Sequence, residues 1–157
     1  MPEKGWLTAA LGKVPGGPMK RLVRSMSALN VCIYKASGGK RMGSLGGSPI
    51  CLVTMRGRKS GQLKTVPLMY VPHGDDVLLV ASLGGAPKHP LWYHNLIADP
   101  AIDLQVGRRV RRMQVREASA AEHEALWPVA VARYPSYADY QTKTARKIPI
   151  LICSAAG

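Results

Sequence analysis

Acidic side chains are scarce in this chain: Asp and Glu number 9 against 22 Lys and Arg, which leaves a net charge of +13. A surface so short of carboxylates attracts polyanions, whether nucleic acid, anionic lipid or a phosphorylated and carboxylated small molecule. Phenylalanine is absent, and the 3 Trp and 6 Tyr each bring a polar atom that wants a partner. The cysteines are Cys32, Cys51 and Cys153, with no C-x-x-C pair. A scattered, odd set argues against a disulfide framework and fits reduced thiols in a cytoplasm. His73, His89, His94 and His123 lack zinc-ligand spacing, so no metal is expected. No run approaches the roughly 20 apolar residues of a membrane span. No apolar segment follows the early lysine, and Gly12, Pro15, Gly16, Gly17 and Pro18 break up that region, so no secretory leader is expected.

What is present fits one domain of 157 residues, long enough to bury a core unaided. Residues 1–17 read as loose. Pro18 opens a helix on which Met19, Leu22, Met26, Leu29 and Ile33 repeat at helical spacing, flanked by Lys20, Arg21, Arg24 and Lys35. Such a basic amphipathic helix packs on the domain, with contact to an anionic membrane as the sharper reading. "SGGKRMGSLGG" then reads as a flexible link, which divides the chain into 1–47 (loose N-terminus, basic helix and link) and a barrel domain at 48–157. From there the period changes to 2. "PICLVTMR", "QLKTVPLMYVP" and "DVLLVAS" read as an antiparallel meander, with Pro67 marking an edge or a bulge. "PLWYHNLIADP" is a short helix, and "AIDLQV" and "VRRMQVREA" are strands. Ser119 and Glu122 form an S-x-x-E capping box before a helix that should kink or restart at Pro128. "IPILIC" is the last strand. Six antiparallel strands with inserted helices make an α+β chain, best closed as a small barrel.

The turn "GRKSG" at 57–61 invites comparison with a phosphate-binding P-loop, but no glycine directly precedes Lys59 and a strand follows rather than a helix. That excludes an ATPase or GTPase. A basic hairpin can still hold phosphate or carboxylate through Arg58, Lys59, Ser60 and Lys64. The bland alternative is a solvated turn. Nucleic acid is not expected, because the most basic strand, "RRVRRMQVR", carries no aromatic.

Three segments, "GRKSGQLKTVPLMY", "VASLGGAPKHPLWYHNLIADP" and "WPVAVARYPSYADYQTKTARKIPILIC", together resemble the deazaflavin-dependent nitroreductase family, actinobacterial reductases that use reduced coenzyme F420. The resemblance runs from about residue 48 to the C-terminus and keeps the motif order. It implies a split β-barrel related to flavin-binding barrels. It also implies a use for the positive charge, since this coenzyme carries a phosphate and an oligoglutamate tail.

By the same resemblance, Arg58, Lys59 and Ser60 meet the phosphate or the tail. Lys64, Thr65, Val66, Pro67, Leu68 and Met69 line the deazaflavin. Val80, Ala81, Ser82 and Leu83 approach the ring with amides and the Ser82 hydroxyl. Leu91, Trp92, Tyr93, His94 and Asn95 close the site, and Tyr134, Tyr137 and Tyr140 border the substrate pocket. Each has a plainer alternative: Trp92 as core, the tyrosines as packing, Ser82 as a turn former. Met69 stands where nitro-reducing members place a tyrosine, and Leu83 where they place a lysine. The first departure favours quinones and activated alkenes over nitroaromatics, and the second implies one weaker cofactor contact.

The implied reaction moves a hydride from the deazaflavin to an electron-poor carbon, and Ser82 or Tyr137 stabilises the developing oxyanion. The expected partners are therefore F420H2 and a small-molecule acceptor, with a homodimer and a peripheral place at the inner membrane face as further expectations. The competing reading is an FMN oxidase or a flavin or deazaflavin carrier on the same barrel, because fold does not fix function.

Overall fold

The computed structural model describes residues 18–45 and 47–156. The loose stretch expected over 1–17 lies outside them, as do the side chains of Met19, Lys20, Arg21, Leu22, Arg24 and Met26. Helix α1 spans Pro18–Ser37 and starts at the expected proline. The strands are β1 (Ser44–Leu45), β2 (Ser48–Arg56), β3 (Leu63–Met69), β4 (Val71–His73), β5 (Asp76–Val80), β6 (Ala101–Val106), β7 (Arg109–Glu117) and β8 (Ile150–Ala155). Between them lie α2 (Leu91–Ala98), α3 (Ala120–Arg133) and α4 (Ser136–Thr142). This is an α+β chain on an 8-stranded sheet ordered β1-β2-β6-β7-β8-β5-β4, with β3 on the other edge of β2. Every pairing is antiparallel.

The strands fall into two kinds, and each follows from what covers it. β6 alternates: Ile102 and Leu104 are buried, while Asp103 and Gln105 are only half-buried. β7 buries Met113 and Val115 and exposes Arg112, Gln114 and Arg116. One face of each therefore meets water. In contrast β2, β5 and β8 are apolar on both faces. Their inner residues, including Cys51, Val53, Leu79, Leu151 and Cys153, join Leu104 and Met113 in the main core. Leu78, Val80, Ile150 and Ile152 face the other way, under α3 and α4. Ile50 and Leu52 lie under α1, against Val31 and Tyr34. Burying one such Leu or Ile stabilises the fold by about 1.5–3 kcal/mol.

Several expectations are corrected. The meander breaks at Tyr70: β3 pairs only with β2, and the chain bends into β4, which pairs with β5. β3 is thus an edge strand that accommodates Pro67, opposite Leu52. The glycine-rich link is partly ordered, because Ser44 and Leu45 pair with β2. On α1, Leu29 is 59% exposed, while the packed face carries Val31 and Tyr34. Tyr34 donates to the Ile50 carbonyl at 3.0 Å and accepts from the Gly107 amide at 2.8 Å. Hence α1 docks on the sheet, as expected of a helix packed on the domain. α3 runs through Pro128 in one piece. The carbonyl that Pro128 leaves without its helical donor belongs to Glu124, an exposed residue, where water can serve it. The capping box forms as read, with Ser119 and Glu122 bonded both ways.

Candidate functional site

The basic turn is held from behind. Gly57 and Gln62 close the hairpin at 2.8 Å, and Gly61 takes φ +69°, a conformation glycine adopts without strain. The Ser60 hydroxyl accepts from the Gln62 amide at 3.2 Å, so it braces the turn. Arg56 donates to the Gly61 carbonyl at 2.6 Å and pairs with Asp99 at 3.7 Å. Asn95 on α2 accepts from the Arg58 amide at 3.1 Å and donates to the Met55 sulfur at 3.8 Å. Asn95, expected to help close the site, thus anchors the hairpin backbone. Arg58, Lys59 and Lys64 stay exposed, and none forms an ion pair among the described residues.

Along β3 the expected lining is uneven. Thr65 shares a 2.8 Å hydrogen bond with Thr54. Val66 packs against the main core, Pro67 is half-buried and Leu68 is buried at 7% exposure. Met69 packs with the cluster beneath α1.

The second loop follows β5. Val80 and Ala81 are buried in separate core clusters. Ser82 is 9% exposed, and its hydroxyl makes no hydrogen bond among the described residues. Leu83–Gly85 form a short 3-10 turn in which Leu83, Gly84 and Gly85 take φ of +48°, +62° and +83°. A Cβ at Gly85 would lie 2.6 Å from the Tyr140 carbonyl, so this loop packs directly on α4. Leu91 is 66% exposed and Trp92 8%, which places Trp92 in the main core rather than on an open wall. Tyr93 and His94 are half-buried beside His89, with ring centroids 4.4 Å and 5.9 Å from it. Tyr93 also donates to Glu117 at 3.1 Å.

The three tyrosines do cluster. Tyr134 lies 5.0 Å from Tyr137 and 6.3 Å from Tyr140, centroid to centroid. Their exposures differ, however. Tyr137, on α4, is 2% exposed and turned into the core cluster of Leu126, Ala130 and Ile150, so its side chain is not at the surface. That corrects its expected place as a substrate-facing donor. Tyr140 and Tyr134 are half-buried and share a 3.3 Å hydroxyl contact. Burial, then the Tyr134 hydrogen bond, push the Tyr140 phenol up to about 12, so at neutral pH it remains a hydrogen-bond donor.

The sequence reading missed the residue that ties this loop down. Arg146 donates to the carbonyls of Ala81, Ser82 and Ala86 at 3.2, 2.8 and 2.9 Å. Its one signal was its place inside the third motif. The structure therefore joins the three motifs pairwise: the turn to α2 through Asn95, and the 82–86 loop to the C-terminal segment through Gly85 and Arg146.

The buried thiols are inert for chemistry at this site. Burial pushes Cys153 up to about 12 and Cys51 further up, and Cys32 is exposed on α1.

The family model for F420H(2)-dependent quinone reductase matches residues 26–155. An F420H(2)-dependent quinone reductase of Mycobacterium tuberculosis is 35% identical over 131 residues, covering 79% of this chain and 86% of the relative. The solved F420-H2 dependent reductase FDR-A is 47% identical, with a TM-score of 0.63 over 68% of this chain and 94% of its own. A second solved structure, described as a domain-swapped dimer, is 38% identical, with a TM-score of 0.66 over 86% and 98%. The chain belongs to the F420H(2)-dependent quinone reductase family.

Proposed function

We propose that this protein is a reductase that uses F420H2 to reduce quinones and related electron-poor alkenes. The carrying observation is a hairpin that presents Arg58, Lys59 and Lys64 without a carboxylate among the described residues to neutralise them. An exposed cation set of this kind fits a phosphate and an oligoglutamate tail, since charge-assisted contacts to such groups are the strong ones. When bound, the reduced deazaflavin supplies the hydride. Ser82 offers an uncommitted hydroxyl at the edge of the loop, and Tyr140 a protonated phenol that Tyr134 orients. These two donors stabilise negative charge on the acceptor oxygen. Tyr140, or water beside it, then returns the proton.

The same reading takes the sheet as a split barrel, because the strand bent at Tyr70 meets β2 with one half and β5 with the other. A homodimer belongs to the reading as well, supported by the solved neighbour described as a domain-swapped dimer. Among the described residues no helix is long and apolar enough to cross a membrane. Peripheral contact through α1 would bring the site to a lipid-borne quinone. Nitroaromatic substrates rank below quinones because Met69 lies packed under α1.

A fluorescence titration with F420 and with FMN, each at low and high salt, tests the assignment. Tight F420 binding that weakens with salt, beside weak FMN binding, is the expected outcome. Tight FMN binding without F420 binding would discard the reductase chemistry in favour of an FMN oxidase. With the cofactor secured, Ser82→Ala and Tyr140→Phe should each lower kcat for a quinone by about 10-fold or more while leaving the cofactor Kd within about 2-fold.

A further inference from the structure

Four polar contacts converge on one guanidinium. Arg146 Nη1 reaches the Ala81 carbonyl at 3.2 Å and His89 Nδ1 at 3.0 Å, Nη2 reaches the Ser82 carbonyl at 2.8 Å, and Nε reaches the Ala86 carbonyl at 2.9 Å. The three carbonyls bracket Leu83, Gly84 and Gly85, all at positive φ. For two glycines that conformation is ordinary. For Leu83 it is uncommon, and such a residue persists only when its surroundings over-determine it. Arg146 is part of what does so. It is half-buried and has no carboxylate partner among the described residues, so its charge is met by backbone dipoles and one imidazole.

We propose that Arg146 is a positioning residue for the cofactor. Its planar fork holds the 81–89 loop in the left-handed turn that carries Ser82 and Leu83, and His89 completes the clamp only while its imidazole is neutral. This rests on the reductase reading for what the loop meets, but not for the clamp itself. A lysine cannot replace the fork, because one ammonium cannot point at three carbonyls and a ring nitrogen in fixed directions. The charged and titratable groups around His89 are Arg146, His94 and Tyr93, with Glu117 behind the Tyr93 hydroxyl. Burial first, then Arg146 and His94, push the His89 pKa below its ordinary 6.5, against a smaller opposing pull from Glu117. A histidine whose folded pKa is depressed contributes its full stabilisation above 6.5 and loses it as pH falls through the lower folded value. Once protonated, Nδ1 has no lone pair to offer and faces a guanidinium across 3.0 Å.

Hydrogen exchange of the 81–89 segment in the free protein tests the clamp without any cofactor. Rates are compared at pH 7.5 and pH 5 after correction for intrinsic exchange. In the wild type, opening should rise by about 10-fold at the lower pH. In His89→Gln, whose amide accepts without titrating, that rise should vanish. Arg146→Lys should open the segment by about 10-fold at both pH values while the 150–155 strand exchanges as in the wild type. Its KM for F420H2 should rise by about 10-fold, with a smaller change in kcat. Wild-type-like exchange in Arg146→Lys would overturn the clamp, as would a pH rise that survives in His89→Gln. Should Arg146→Lys not fold, the His89→Gln comparison decides alone. A loosened loop with unchanged KM would overturn the positioning role. A wild type that shows the pH-dependent opening but binds no F420H2 would sink the reductase reading and the cofactor half of this proposal together, and leave the clamp standing.

Discussion

The two loops that the proposed reading places at the cofactor are built in opposite ways. In the 57–61 turn the cations point outward, and a neutral amide, Asn95, holds the backbone from behind. In the 81–89 loop the cation points inward, and Arg146 spends its donors on the backbone. One loop keeps its charge available; the other consumes it. The count of 22 Lys and Arg therefore overstates what is on offer to a ligand. Arg56, Arg112 and Arg116 illustrate the same point, since each is paired with a carboxylate. A cation with no carboxylate partner keeps its charge for a ligand, and one with several partners, as Arg146 has, holds the backbone in position.

The largest way to break this comparison is to remove the outward charge. Arg58→Ala with Lys59→Ala should weaken F420 binding by about 100-fold, on about 10-fold for each charge-assisted contact, with some loss of additivity between neighbours. The same double variant should flatten the salt dependence of the Kd and leave Tm within about 2 °C, because both side chains are exposed and outside the core. A Kd unchanged in the double variant would move the anionic tail elsewhere and leave the turn as a solvated hairpin.

How much of this could be read in the sequence depends on distance along the chain. Most strands were legible, because alternation in β6 and short apolar runs between turn residues in β2, β5 and β8 are local signals, and so was the 119–122 capping box. The break at Tyr70 was not. "QLKTVPLMYVP" reads as one strand, and only the competing claims of β2 and β5 for its edges divide it. α1 misled on its face, since hydropathy ranked Leu29 above Tyr34, whereas Tyr34 reaches Ile50 and Gly107 with a hydroxyl that hydropathy scores against it. At the proposed site, the motifs named the loops but not the contacts of each side chain. Asn95 and Arg146 act across 37 and 64 positions, on Arg58 and Ser82 respectively, and no local pattern carries that. Tyr137 shows the reverse error: equal spacing made three tyrosines look equivalent, and packing separates one at 2% exposure from the other two.

A smaller effect sharpens the neutral half of the comparison. Asn95→Ala removes one amide contact to the Arg58 backbone and one weak contact to Met55. A neutral hydrogen bond of this sort contributes about 1 kcal/mol, so F420 binding should weaken by about 5-fold and Tm should fall by about 2–4 °C. The salt slope of the Kd should match the wild type, because no charge has been lost. A flattened slope would mean that the hairpin had swung its cations away, and that Asn95 aims the charges as well as bracing the backbone.

The smallest expected effect on binding comes from an arginine whose charge is already spoken for. Arg116 makes a bidentate contact with Glu122 at 2.8 and 2.7 Å, and Glu122 also caps α3 by accepting from the Ser119 amide. These partners, Arg116 first and Ser119 after it, hold the Glu122 carboxyl at about 2, below its ordinary 4.5. A carboxylate with a depressed folded pKa contributes stability that is complete above 4.5 and is lost as pH falls toward 2. Thermal melts of Glu122→Gln between pH 5 and pH 2 should therefore show a shallower fall in Tm than the wild type. The binding test uses Arg116→Gln instead, whose F420 Kd at neutral pH should stay within about 2-fold, since the pair is exposed and carries no free charge to a ligand. Weakened cofactor binding in this variant would show that satisfied cations also steer the ligand, and the division between available and consumed charge would then fail at its simplest case.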